Sequence, residues 1–206
     1  MSPSKIKVHI EVPNGNKIYK SVSKKISSPG KTPITFNIDE LIQKYKLSNV
    51  SLFKVIATSS NGKIPTRVNH QLIYGEKNSK SKLLCSINSS LINKSEFIPK
   101  HKKGLTWGQV LINNHFKSNL GICFSSDKGP NERVSIDFYG RNGFVKTFKQ
   151  SINPKSSIIL DNLFFKKLKI KNEFLWFVAR SNRPDLTANS FHYHNKTGNA
   201  SGEHSF

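Results

Sequence analysis

Two cysteines, Cys85 and Cys123, are too few for a disulfide framework in 206 residues, and both are expected as thiols in strands. No run reaches the roughly 18 apolar residues of a membrane-spanning helix. Met1 to Lys5 leads into a strand-like segment with no hydrophobic leader. The sequence thus reads as a soluble chain without a membrane span, cytoplasmic as written, or surface-associated if a leader precedes it. The twelve acidic residues are scattered, which leaves no carboxylate pair for glycoside hydrolysis. Nucleophile-elbow, Walker and dinucleotide motifs are missing, so the reading turns from catalysis towards binding. Arginine is scarce among the 33 basic residues: Arg67, Arg133, Arg141, Arg180 and Arg183 are all there are. Sequence-reading nucleic-acid proteins lean on arginine for bidentate and stacking contacts, so no specific nucleic-acid partner is expected.

What is present is positive charge, a formal +21 carried mostly by lysine. Such a surface attracts anionic polymers from a distance. An AT-rich genome would also give a sequence rich in Lys, Asn, Ile and Ser. Apolar residues are few but gathered in short blocks such as Phe174 to Ala179, which predicts folded domains with small cores.

The chain carries a weak internal repeat. At an offset of 126, Val8, Ile10, Asn16, Lys20 and Ile26 meet Val134, Ile136, Asn142, Lys146 and Ile152. At an offset of 122, Asp39, Leu41, Lys44, Ala57, Ser59 and His70 meet Asp161, Leu163, Lys166, Ala179, Ser181 and His192. The slip falls in the stretch around Pro29, Gly30 and Pro33, where a change of loop length is tolerated. Strand signals dominate both copies. Ile6, Val8, Ile10 and Val12 alternate with polar residues, as do Val134, Ile136 and Phe138. Turns follow at Asn14 to Asn16 and at Gly140 to Gly143, with return strands from Ile18 and Phe144. A strand at 34–38 is matched by 158–160. Then come short turns or helices capped by Asp39 and Asp161, and aromatic or apolar strands at 52–57 and 174–179. A last strand in each copy carries His70 or His192. Strands at 109–112 and 120–124 open the second copy.

The expected fold is therefore all-β, two tandem antiparallel β-sandwich units related by an internal repeat. Residues 1–92 form the first, 93–104 a basic linker and 105–206 the second. From Val134 to Ser190, the order of hairpin, strand, short Asp-Leu turn, aromatic strand and Ser/Pro loop resembles small bacterial β-sandwich domains of the sensory rhodopsin transducer type. The resemblance implies a fold and assigns no functional residue.

Candidate site residues gather in the second copy. Trp176 matches Lys54, a position that should face solvent, so Trp176 beside Arg180 either offers a stacking platform for a sugar or packs against the other unit or the second core. Arg183 either pairs with Asp185 in solvent or binds an anion with Arg180, and Tyr193 joins them. Trp107 reads as a linker anchor. His192 and His194 are two apart on a strand and share a face. With Glu203 and His204 they form a candidate metal set, although eight residues between His194 and Glu203 exceed the spacing of the cupin motif it resembles. The function read from these features is non-catalytic binding of a glycan or anionic polymer through the second unit. No cofactor is expected. The alternative is a metal-dependent enzyme with one divalent transition metal at the His-X-His pair. Oligomers through exposed strand edges are a further expectation.

Overall fold

The computed structural model describes residues 4–14, 18–28, 37–46, 54–59, 71–73, 84–86, 103–124, 129–154, 156–168 and 173–204. The chain divides into two compact units, Met1–Val68 and Asn69–Phe206. In the first, β1 (Ser4–Asn14) and β2 (Ile18–Ser28) form an antiparallel hairpin. A short helix α1 (Ile38–Lys44) follows, then β3 (Lys54–Ser59), which pairs antiparallel with β1 to give the order β2-β1-β3. The expected cap on this helix needs correcting. Asn37, not Asp39, closes its start, accepting from the amides of Asp39 at 3.1 Å and Glu40 at 3.4 Å. Asp39 lies inside the first turn, where its charge complements the exposed amides. Ile38 belongs to this helix. Residues 34–36 of the expected strand, His70 and most of the expected linker lie outside the described residues.

The second unit begins with a short antiparallel pair, β4 (Gln71–Ile73) and β5 (Leu84–Ser86), which carries Cys85. Eight strands follow: β6 (Gly104–Ile112), β7 (Phe116–Phe124), β8 (Glu132–Gly140), β9 (Gly143–Ile152), β10 (Ser157–Leu160), β11 (Glu173–Ser181), β12 (Leu186–His194) and β13 (Ala200–His204). Helix α2 (Asn162–Lys167) sits between β10 and β11, capped by Asp161, whose carboxylate accepts from Phe164 N at 2.9 Å. The strands form two antiparallel four-stranded sheets, β6-β11-β8-β9 and β10-β7-β12-β13. Consecutive strands often change sheet, so long-range pairs such as β6 with β11 and β7 with β12 hold the unit together.

Period-two alternation decides what is buried. On β8, Val134, Ile136 and Phe138 turn inward; on β11, Leu175, Phe177 and Ala179 do. They meet Leu120, Ile122 and Phe124 of β7 and Ala188 of β12 in one core, closed by Phe165 from α2. The rings of Phe138, Phe164 and Phe165 pack edge-on or tilted within 6.0 Å of one another. Among the described residues, no helix is long and apolar enough to cross a membrane.

Candidate ligand-binding face

The alternation that fills the core sends the other half of each strand outward. On the β6-β11-β8-β9 sheet these outward residues are unusually large. Seven large apolar side chains are exposed among the described residues, and five of them share this face: Leu105, Trp107, Phe144, Phe174 and Trp176. An exposed apolar cluster of this kind makes the face a candidate binding surface.

Register places them in order. Trp176 stands opposite Gln109 on one side and Tyr139 on the other, and Tyr139 stands opposite Phe144. One row thus crosses all four strands as Gln109, Trp176, Tyr139, Phe144. The next row reads Trp107, Val178, Asp137, Thr147, and the third Leu105, Arg180, Ser135, Lys149. Trp107 is therefore diagonal to Trp176 on the adjacent strand, about 7–8 Å away between backbones. A β-bulge at Phe138/Tyr139 completes the first row. Regular pairing would set Val145 opposite Tyr139. The extra residue brings Phe144 there instead, with ring centroids 5.9 Å apart, while Val145 packs on the core. Bulges re-aim side chains in this way at edges and binding sites.

A polar group lies beside the aromatic row. Arg180 Nη1 donates to Asp137 Oδ2 in a short ion pair, and Thr147 Oγ1 donates to Asp137 Oδ1 at 2.6 Å. The carboxylate is held from both sides, and it in turn fixes a guanidinium that is about half exposed. Oriented donors next to flat rings can hydrogen-bond the hydroxyls or carboxylates of a ligand stacked on those rings.

The other candidate residues are not brought to this face. Arg183 follows β11 in the loop and is buried, its guanidinium 4.3 Å from the Phe124 ring centroid. Its Nε and Nη2 donate to the two oxygens of Asp185 at 3.0 and 2.8 Å. The expected pair forms, but in the interior and not in solvent. Gly129 and Gly104 make room for it. A Cβ on Gly129 would lie 2.7 Å from Arg183 Nη1, and one on Gly104 would lie 2.0 Å from the Arg183 carbonyl oxygen. Tyr193 is on the outer side of the opposite sheet, facing Lys117, and burial raises its pKa above 10.

His192 points inward and is buried. Ser118 Oγ lies 2.8 Å from its Nδ1 and donates its one proton to the Leu111 carbonyl, so the imidazole donates from Nδ1. This polarity is the reverse of a serine activated by a base, and burial also lowers the pKa of His192. His194 lies at the strand end beside Phe116 and His115. Its Nδ1 accepts from the Thr197 amide at 3.2 Å, with the Thr197 hydroxyl at 3.0 Å, which places the neutral ring's proton on Nε2. A metal shared by both rings would have to displace that proton or break those bonds. Strand β13 runs away from His194. Its Glu203 is opposite Ser190 and its His204 opposite Asn189, the latter five residues or about 17 Å along β12. Among the described residues, no three His, Cys, Asp or Glu side chains group as a metal site.

Sequence reasoning missed Gln109, Asp137, Tyr139, Phe144 and Thr147, and assigned Trp107 to a linker. The signal was the alternation itself, which left aromatics on the polar side of β6, β8 and β11. The chain matches no family model, and neither a curated protein nor a solved structure is significantly similar to it.

Proposed function

We propose that the protein is a non-catalytic binding protein for a glycan, and that its site is the outer face of the β6-β11-β8-β9 sheet. The observation that carries this reading is the row of Gln109, Trp176, Tyr139 and Phe144 across four strands. The three rings of the row, with Tyr139 and Phe144 packed edge to face, offer apolar surface to successive sugars. The Arg180–Asp137–Thr147 group stands beside them to meet their substituents. The formal charge of +21 favours acidic glycans. Trp176 and Arg180 keep the roles expected of them, Tyr139 and Trp107 join them, and Arg183 serves the interior.

The test is a panel of acidic and neutral polysaccharides, with phosphatidylserine vesicles as a separate arm. Trp176→Ala is expected to weaken glycan binding about tenfold or more while costing no more than about 1 kcal/mol in unfolding, because the ring is half-exposed. Vesicle binding with no glycan affinity would assign the patch to a membrane surface and overturn the proposal.

The tandem arrangement belongs to the same reading. Each unit contains a hairpin, a short capped helix and a strand that returns to pair with the hairpin's first strand, as β1-β2-α1-β3 and β8-β9-β10-α2-β11, the second with β10 before its helix. This shared succession supports two sandwich units descended from one.

A further inference from the structure

We infer that the face takes an internal stretch of a long, linear, acidic polysaccharide laid across the strands, about four sugar units at once, with its acidic groups held towards β9. This rests on the glycan reading above and adds the ligand's shape, length and polarity.

Length comes from the register. The row from Gln109 to Phe144 crosses three strand gaps of about 4.8 Å each, roughly 14 Å in all. A pyranose with its glycosidic oxygen repeats at about that same spacing, so each strand meets about one sugar. Openness comes from the sheet order. Strands β6 and β9 are the two edges of the sheet, and the row runs from one to the other. Phe144 is exposed at its β9 end, and exposed Trp107, one row over on β6, flanks the other end. A chain lying on this row leaves the platform on both sides, so its ends need not be recognised.

Polarity comes from where charge is placed. Strand β6, Gly104–Ile112, has no charged residue at all. The β8–β9 hairpin carries exposed Arg141 at its turn and exposed Arg133 and Lys149 with the outward parity, whereas Lys146 is opposite inward-facing Phe138 and belongs to the other side. Between them, the charges of Arg180 and Asp137 balance as a pair. Positive charge thus lies along the β8–β9 side of the face, and an acidic chain would be held most strongly there. A neutral chain would gain only the stacking contacts.

The experiment is calorimetric titration of the full chain with an oligogalacturonate ladder, monomer to octamer, and with neutral maltooligosaccharides of the same lengths. Affinity is expected to climb with each added unit, level off near four, and be unaffected when the octamer's reducing end is blocked as a methyl glycoside. Trp107→Ala should cost about tenfold for the tetramer and under about twofold for the dimer. The triple change Arg133→Gln, Arg141→Gln and Lys149→Gln should remove the preference for the acidic ladder and spare the neutral one. Full affinity at the monomer or dimer, or loss on blocking the end, would overturn the internal-chain inference while glycan binding stands. No binding to either ladder or to the polysaccharide panel would overturn the glycan reading itself.

Discussion

Arg180 and Arg183 are three residues apart, and each is paired with an aspartate, yet they lie in two unlike regions. On the open sheet face, Arg180 is 48% exposed and its partner Asp137 18%. At the end of the sandwich, Arg183 and Asp185 are 6% and 9% exposed, with the guanidinium stacked on Phe124. The first pair is cheap to form and leaves most of the arginine's five donors turned to solvent. The second has lost its water and is matched by its neighbours, the Asp185 carboxylate and the Phe124 ring, with Gly129 leaving room for the guanidinium. Residue type and pairing are the same in both. What differs is the surroundings, and these decide whether an arginine holds the fold or meets a ligand.

The sharpest way to break this contrast is at Arg183. Arg183→Ala leaves Asp185 charged and buried without its main partner, and should cost about 3–5 kcal/mol of stability in urea unfolding. Arg183→Met combined with Asp185→Leu should recover much of that loss, since no charge is stranded. Equal losses in both variants would show that the pair contributes little.

A second, smaller effect tests the interior through pH. Burial holds the pKa of His192 below its ordinary 6.5, so the unfolded chain takes up a proton there before the folded one does. Stability from this group is complete above pH 6.5 and declines as pH falls through 6.5 towards the depressed value. The slope is at most about 1.4 kcal/mol per pH unit. His192→Gln should flatten that slope, whatever it does to stability at neutral pH.

Smaller again is Arg180→Gln. Its expected cost in stability is under about 1 kcal/mol, but acidic-oligosaccharide binding should weaken about five- to tenfold. A stability loss matching that of Arg183→Ala would erase the distinction between the two regions. The smallest expected effect is at Tyr193→Phe, which should leave binding unchanged, because Tyr193 belongs to the opposite sheet. Incubation with zinc should likewise yield no stoichiometric metal. A zinc per chain that is lost in His194→Ala would restore the metal-dependent enzyme reading.

Much of the second unit was legible in its sequence because local rules govern it. Alternation marked β8, the glycines at 140 and 143 marked its turn, Asp161 marked the α2 cap, and Trp176 was expected to face outward. The α1 cap was misplaced by two residues because Asn37 and Asp39 are both capable acceptors, and only geometry chooses between them. The aromatic row was hidden for another reason. Gln109, Trp176, Tyr139 and Phe144 come from four strands, and their alignment depends on non-local register and a one-residue bulge. Likewise, nothing near Arg183 in the sequence announces Phe124 or Gly129.

Both tryptophans of the chain, Trp107 and Trp176, stand half-exposed on one face of one sheet, diagonal to each other. The protein therefore carries its own optical probe. Tryptophan emission arises from this face alone, and Met1–Val68, which holds tyrosines but no tryptophan, adds nothing when tyrosine is left unexcited. A ligand stacking on either indole would shift the emission to the blue without any label, and an added quencher would lose access to both rings at once.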